Sequence, residues 1–198
     1  MYALIENLQV TKVGELANLF PQTSFPPAGP DAGWKAEHGV FEIVEGEQKD
    51  QRFYWVTPDS YQVGDGIVTR TYVNTAKILE DRAEVKEDNT PVYVQVYDPT
   101  SNNGQGGMVD TTEQVVTRGL KHNYLQQIKT TANTQLAPTD WMVIRKAERD
   151  VAIPTDVTTY RAAVITEYNR LKTAIEGTNS VEDLITVVGS QNWPTNNI

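Results

Sequence analysis

The chain contains no cysteine, which excludes disulfides, thiolate metal sites and cysteine nucleophiles together and leaves packing as the source of stability. It has two histidines, His38 and His122. Neither has a second histidine or a serine motif near it in sequence, so each reads as a structural or surface residue and not as an acid–base catalyst. Long apolar runs are also missing, and no stretch approaches the ~18 apolar residues of a membrane span. The opening Met1-Tyr2-Ala3-Leu4-Ile5-Glu6-Asn7 lacks the basic start and apolar stretch of a secretory signal. The expectation is a soluble protein without membrane insertion. Basic residues are outnumbered, 17 Lys and Arg against 26 Asp and Glu, for a net charge of -9 and a pI near 4.7. Such a field repels phosphate backbones and anionic lipid, so no nucleic-acid partner is expected.

Signatures of chemistry are scarce as well. There is no Gly-x-Ser-x-Gly and no His-Glu-x-x-His, and Gly104-x-Gly106-Gly107 carries neither a Lys-Ser/Thr pair nor a following apolar helix start to cradle a phosphate. The acidic group Glu42, Glu45, Glu47 and Asp50 lacks the alternating ligands and central glycine of a calcium loop and reads as a solvated turn. No catalytic, cofactor-binding or metal-ligating residue is assigned, no cofactor is expected, and the chain reads as non-enzymatic.

What the sequence does contain is a change of period. The 198 residues are 39% hydrophobic with a mean hydropathy of -0.46, the profile of an extended protein with modest cores. Tyr2, Leu4, Leu8 and Val10 alternate around Glu6-Asn7 and predict an opening β-hairpin. A short helix is expected over 14–20. Pro21, Pro26, Pro27, Gly29 and Pro30 then form an ordered loop. Between 39 and 77, three runs rich in β-branched and aromatic residues predict antiparallel sheet: 40–44, 52–56 and 67–73, separated by turns at Glu45-Gly46, Thr57-Pro58-Asp59 and Gly64-Asp65-Gly66. The mixed-charge run 80–88 reads as a solvent-facing helix or connector, and the alternating 91–97 as an edge strand or protruding hairpin. The polar, glycine-rich run 100–107 reads as a flexible loop or linker and as the candidate domain boundary.

Beyond it, Val116, Leu120, Tyr124, Ile128 and Ala132 recur every four positions and predict a helix over 113–136, stopped by Pro138. Trp141-Met142-Val143-Ile144 is a short apolar segment. A second helix opens with Thr155 as N-cap and carries Val157, Tyr160, Val164, Tyr168, Leu171 and Ile175 on a narrow stripe ending at Gly177, with Arg161, Glu167, Asn169 and Lys172 off it. Ser180 and Asp183 announce a third helix. The fold class is therefore α+β: an N-terminal antiparallel β-rich domain over 1–99, a flexible linker or loop over 100–112 and a C-terminal α-helical hairpin or bundle over 113–198.

Four tryptophans and nine tyrosines exceed what modest cores require, and these residues anchor interfaces. The candidate interface is Trp141, Tyr160, Val164, Tyr168, Leu171, Ile175 and Trp193. The stripe on the second helix predicts either an intramolecular hairpin with 113–136 or a bundle between chains, which would make a homo-oligomer.

Two places carry a resemblance. Met1-Tyr2-Ala3-Leu4-Ile5-Glu6-Asn7 followed by Thr23-Ser24-Phe25-Pro26 looks like the start of short proteins of bacteriophage tail regions. Leu136-Ala137-Pro138-Thr139-Asp140-Trp141, then Tyr160-Arg161-Ala162-Ala163-Val164, resembles the C-terminal module of phage tail-fibre assembly and tail assembly chaperone proteins. The sequence departs from that pattern at Pro138, in the extra helix after Gly177 and in the apparent insertion 84–110. The resemblance implies a tail, fibre- or baseplate-associated structural protein of the virion, assembled in the host cytoplasm, whose partners are other tail, fibre or baseplate proteins. It leaves two further readings open: an assembly chaperone not retained in the virion, and a receptor- or glycan-binding module.

Overall fold

A computed structural model describes residues 1–64 and 66–196. They divide into two compact units, Met1–Ala76 and Lys77–Ile198, and the architecture is α+β.

The first unit is built on a five-stranded sheet in the order β2-β1-β3-β5-β4, formed by β1 (Tyr2–Glu6), β2 (Gln9–Gly14), β3 (Val40–Glu45), β4 (Tyr54–Gly64) and β5 (Ile67–Ala76). The opening hairpin turns one residue later than its apolar alternation suggests. Glu6 pairs with Gln9, and the corner residues are Asn7 and Leu8, with φ 52° and 62°. Two positive φ values match the twist of a two-residue hairpin, and Asn7 supplies one at low cost.

The sheet is not wholly antiparallel as expected, because β3 and β5 run parallel, with Ile43 opposite Val68 and Glu45 opposite Arg70. The chain leaves β3, places β4 at the outer edge and returns through a hairpin, so β5 enters beside β3 in the same direction. Thr57-Pro58-Asp59 is likewise not a turn. β4 runs through it with a register shift between Pro58 and Tyr61, a bulge at an edge strand, where the missing amide of proline is tolerated. The expected turn at Gly64-Asp65-Gly66 includes Asp65, outside the described residues; its flanks pair, Gly64 opposite Ile67.

Alternation assigns the faces of this ribbon. Tyr54 and Val68 are buried together with Ala3, Val40 and Phe53, while Trp55 and Val73 remain exposed. Gly39 has φ 62°, and a Cβ there would lie 2.7 Å from the carbonyl oxygen of Ile5, so the entry to β3 requires glycine on both counts. α1 (Leu16–Leu19) falls inside the expected helix. α2 (Ala32–Glu37), not foreseen, begins where the Asp31 carboxylate accepts the amide of Trp34 at 2.8 Å.

The second unit opens with an extended connector. The 80–88 run is connector and not helix: β6 (Arg82–Ala83) pairs with β9 (Val116–Thr117), and Val85 bridges Pro91 across a turn in which Asn89 has φ 65°. β7 (Tyr93–Asp98) and β8 (Gly107–Gln114) form a two-stranded hairpin, as 91–97 suggested. The 100–112 segment is not the domain boundary, which falls after Ala76, and it is a built turn plus most of β8. Asp98 accepts from the amide and hydroxyl of Thr100 at 2.8 and 2.7 Å, and Asn102 donates to the Gly106 carbonyl at 3.1 Å. In the helical turn α3 (Ser101–Gly104), Asn102 and Asn103 are left-handed. Asparagine and glycine are used here for positive φ, not for looseness.

Four helices complete the unit: α4 (Leu120–Leu136), α5 (Asp140–Arg149), α6 (Thr155–Glu176) and α7 (Val181–Gly189). α4 starts later than its periodicity suggests because Val116 belongs to β9, opposite Ala83. Its free N-terminal amides are satisfied from the connector: Gly119 donates to Asp81 at 2.8 Å, Leu120 to the Ile78 carbonyl at 2.9 Å and Lys121 to that of Leu79 at 3.0 Å. The connector lies so close that a Cβ on Gly119 would meet the Glu80 carbonyl carbon at 2.4 Å. Pro138 sits in a 3-10 turn (Ala137–Thr139) between α4 and α5. The 141–144 segment is the first half of α5. Pro154, not Thr155, occupies the N-cap of α6. Ser180 caps α7 by accepting the Asp183 amide at 3.0 Å, as its spacing suggested.

Candidate interaction surface

The stripe on α6 is satisfied inside the chain. Val157, Tyr160, Val164, Leu171 and Ile175 are buried, as are Leu120, Tyr124, Ile128 and Ala132 on α4. Ala132, Tyr160 and Val164 form a cluster against which Leu136, Tyr168 and Trp193 pack. Of the two arrangements the spacing permits, the intramolecular hairpin is the one formed. Tyr160, Val164, Leu171 and Ile175 therefore cannot serve as an outer interface, because α4 presents a matching four-residue repeat within the same chain and removes them from water. Tyr168 is half-buried beside a groove of about 310 Å³ that includes Leu136 and Ile165. Trp193 is half-buried, its indole donating to Gln191 Oε1 at 2.9 Å. Trp141 alone of the seven is exposed.

The two motif segments meet at Arg161. Its guanidinium, on the second turn of α6, donates to the Leu136 carbonyl at 2.9 Å and to Thr139 Oγ1 at 2.7 Å. It also pairs with Asp140 Oδ1 at 2.9 Å, with 17% of its own side chain exposed. Nη1 makes all three contacts, so one charged nitrogen holds the end of α4, the intervening turn and the first residue of α5. Periodicity had placed Arg161 off the stripe, and its role follows from the acceptors that Pro138 and the turn leave facing α6.

With its start fixed, α5 turns its apolar side outward. It buries no residue, and Trp141, Val143 and Ile144, followed by Val151, are exposed. The Arg145 guanidinium lies 4.8 Å from the centre of the Trp141 ring, holding the indole by a cation–π contact. An amphipathic helix that packs its apolar residues away from its own core is the reverse of the usual arrangement.

A second clamp holds the chain beyond α7. Glu167 is buried although it was read as lying off the α6 stripe. It falls three residues after Val164 and four before Leu171, which puts it inside the arc. Arg170 Nε and Nη2 bind its two oxygens, each at 2.7 Å, the Asn192 amide donates to Oε1 at 2.7 Å, and Arg170 Nη2 also reaches the Ser190 carbonyl at 2.9 Å. The Arg170 hydrogen bonds, joined by that of Asn192 and opposed by burial, hold the Glu167 carboxyl below its ordinary value.

Several other titratable groups are engaged in holding structure. His122 lies in an open hollow of about 360 Å³ with Glu80, Asp81, Lys121, Leu125 and Glu176. Its Nδ1 is 3.6 Å from Asp81 Oδ2, while Asp81 binds the Gly119 amide and, at 2.6 Å, Arg118; these contacts depress its pKa, the Gly119 amide first. Lys121 bridges Glu80 and the Glu176 carbonyl. His38 stacks on Trp34 at 4.1 Å in an aromatic group with Phe20 and Phe25. Three of the four acidic residues of the first unit's group have separate partners: Glu42 with Lys35 at 2.6 Å, Glu45 with Tyr72, and Asp50 with Arg52 at 2.6 Å. Among the described residues, no group of three His, Cys, Asp or Glu could hold a metal ion, and no helix is long and apolar enough to cross a membrane. No family model, no curated protein and no solved structure matches this chain.

Proposed function

We propose that this chain is a non-enzymatic structural component of a bacteriophage tail, associated with the fibre or baseplate, and that it works by packing against neighbouring tail proteins through the outer face of α5. The observation that carries this reading is the Arg161 clamp. It joins Thr139 and Asp140 to α6, linking the two segments whose sequences resemble tail-fibre assembly proteins, and it leaves Trp141 and Ile144 in solvent. Trp and Arg are the residues from which interface anchors are most often built. The test is mass spectrometry of purified particles. Presence in stoichiometric amount supports a virion component. Absence from particles, together with loss of fibres when the gene is deleted, replaces this reading with that of an assembly chaperone which departs before completion.

A receptor- or glycan-binding role is favoured by a different surface. Trp55 is 63% exposed on the face of β4 and β5 that also carries Thr57, Val73 and Thr75, an aromatic ring flanked by hydroxyls. Titration with host surface glycans, followed by tryptophan fluorescence in the native chain and in Trp55→Ala, tests it. A titration that is flat, or unchanged by the substitution, removes this reading.

A further inference from the structure

The turn between β7 and β8 carries a chemical property that neither the packing surfaces nor the tail assignment uses. Asn103-Gly104 is the one Asn-Gly dipeptide in the sequence, and it lies at the tip of a two-stranded hairpin. Asn103 is exposed and left-handed at φ 59°, following Asn102 at φ 53°. For its side-chain carbonyl carbon to reach the Gly104 nitrogen, the Asn103 backbone must rotate. What opposes that rotation is local to the turn, chiefly the bonds from the Gly106 amide to the Ser101 carbonyl at 3.0 Å and from Asn102 to the Gly106 carbonyl at 3.1 Å. A Cβ at Gly104 would meet nothing within 4 Å, and the bond from the Gly104 amide to the Thr100 carbonyl is long at 3.3 Å. Left-handed backbone at two successive non-glycine residues already costs energy that opening the turn releases.

We propose that Asn103 is a site of spontaneous self-modification, converting to aspartate and isoaspartate through a cyclic imide. The Gly104 backbone nitrogen attacks Cγ of Asn103. A new C–N bond closes a five-membered ring, the bond from Cγ to the side-chain nitrogen breaks, and that nitrogen leaves as ammonia, carrying the proton lost by the Gly104 amide. Water then adds to either ring carbonyl. Opening on one side gives aspartate with the original backbone, and on the other gives isoaspartate, in which the main chain runs through Cβ and is one methylene longer. Both products add a negative charge to the turn that the Asp98 carboxylate organises through Thr100.

The isoaspartyl form carries the structural consequence. A lengthened main chain cannot keep the left-handed pair that lets Asn102 reach the Gly106 carbonyl, and the pairing of Asp98 with Gly107 and of Tyr97 with Met108 loses its closing turn. The base of the hairpin is tied to the connector, through Val92 to the Glu84 carbonyl at 3.0 Å and Glu84 to the Val115 carbonyl at 2.8 Å, whereas its far end relies on the turn. The tip is therefore the point from which this arm frays as the protein ages.

The experiment incubates the full-length chain at mildly alkaline pH and follows every asparagine by peptide mapping, with fragmentation that locates the amide-to-acid mass change and an isoaspartate-specific methylation assay. Asn103 is expected to convert at least about tenfold faster than any other asparagine, a barrier lower by about 1.4 kcal/mol. Asn103→Gln abolishes the fast conversion. In amide hydrogen exchange, the isoaspartyl material loses protection in β7 and β8, whereas Asn103→Asp, which keeps the backbone length, retains it. Comparable rates at several asparagines overturn the site, and equal protection of the isoaspartyl and native hairpins overturns its consequence.

Discussion

The carboxylate of Glu167 accepts the backbone amide of Asn192 at 2.7 Å, so a buried acid on α6 holds the segment that follows α7. Arg170 completes the contact by binding both Glu167 and the Ser190 carbonyl. Replacing Glu167 with glutamine keeps the volume but removes the charge, and it leaves Arg170 and the Asn192 amide with a weaker acceptor. The expected loss is about 1–3 kcal/mol of stability by denaturant unfolding, with Trp193 more exposed to collisional quenchers. Unchanged quenching of Trp193 would show that the segment is held by its apolar contacts alone.

The same carboxylate makes stability depend on pH. Its folded pKa lies below the ordinary value of 4.5, so the unfolded chain takes up a proton first as acid is added. The contribution of Glu167 is fully present above 4.5 and is lost as pH falls through the lower folded value. Asp81, held below its ordinary 3.8 at the start of α4, acts in the same direction. Unfolding midpoints should therefore fall between neutral pH and pH 3, and the fall should be shallower in Glu167→Gln. Parallel profiles for the two proteins would contradict the assignment.

Arg161 fixes α5 to the helical pair, which separates two kinds of damage. In Arg161→Met, the acceptors at Leu136, Thr139 and Asp140 lose their donor while Tyr160 and Val164 keep their packing. Amide hydrogen exchange is expected to show protection lost over 138–150 and kept in α4 and α6, with a stability cost of about 1–3 kcal/mol. Uniform loss across the unit would mean that α5 unfolds only with the whole.

How much of this was legible in the sequence depended on whether the determining contact was local. α6 and α7 could be read because Pro154, Gly177 and Ser180 mark their ends and the apolar spacing fixes their faces. α5 could not, since Trp141-Met142-Val143-Ile144 is contiguous and shows no helical period, and its apolar residues face outward. The parallel pairing of β3 with β5 depends on where β4 lies, which no local pattern encodes. Thr57-Pro58-Asp59 and the 100–107 run misled for a common reason. Turn-forming residues report a local backbone property, and that property served a bulge where Pro58 lacks an amide in one case and left-handed angles in a tight hairpin turn in the other. Of the candidate interface, the burial of Val164 and Leu171 was legible, but which chain would bury them was not.

Gly119 should be among the least replaceable residues of the second unit. Alanine there would put a Cβ 2.4 Å from the Glu80 carbonyl carbon and 2.5 Å from the Leu79 oxygen, forcing the connector away from α4 and releasing the amide bonds of Leu120 and Lys121. Overpacking of this kind costs about 1–3 kcal/mol, and it should appear as a lower thermal midpoint. Gly189, where a Cβ would meet nothing, is the control: the same substitution there should leave the midpoint near that of the native chain.

The two apolar surfaces of the helical unit make opposite predictions. Val164 and Leu171 are fully buried, so Val164→Asp or Leu171→Asp puts an unpaired charge into the α4–α6 seam and should abolish cooperative folding of that unit by circular dichroism. Trp141 and Ile144 are about half exposed, and Trp141→Asp with Ile144→Asp removes the ring contact with Arg145 and partial burial, and leaves the α4–α6 seam intact. That pair should cost less than about 1 kcal/mol, leave the circular dichroism spectrum unchanged and still prevent incorporation into tail particles. Incorporation at the native level by a folded double variant would mean that the outer face of α5 does not make the contact proposed for it, because a desolvated carboxylate at an interface centre cannot be accommodated without loss.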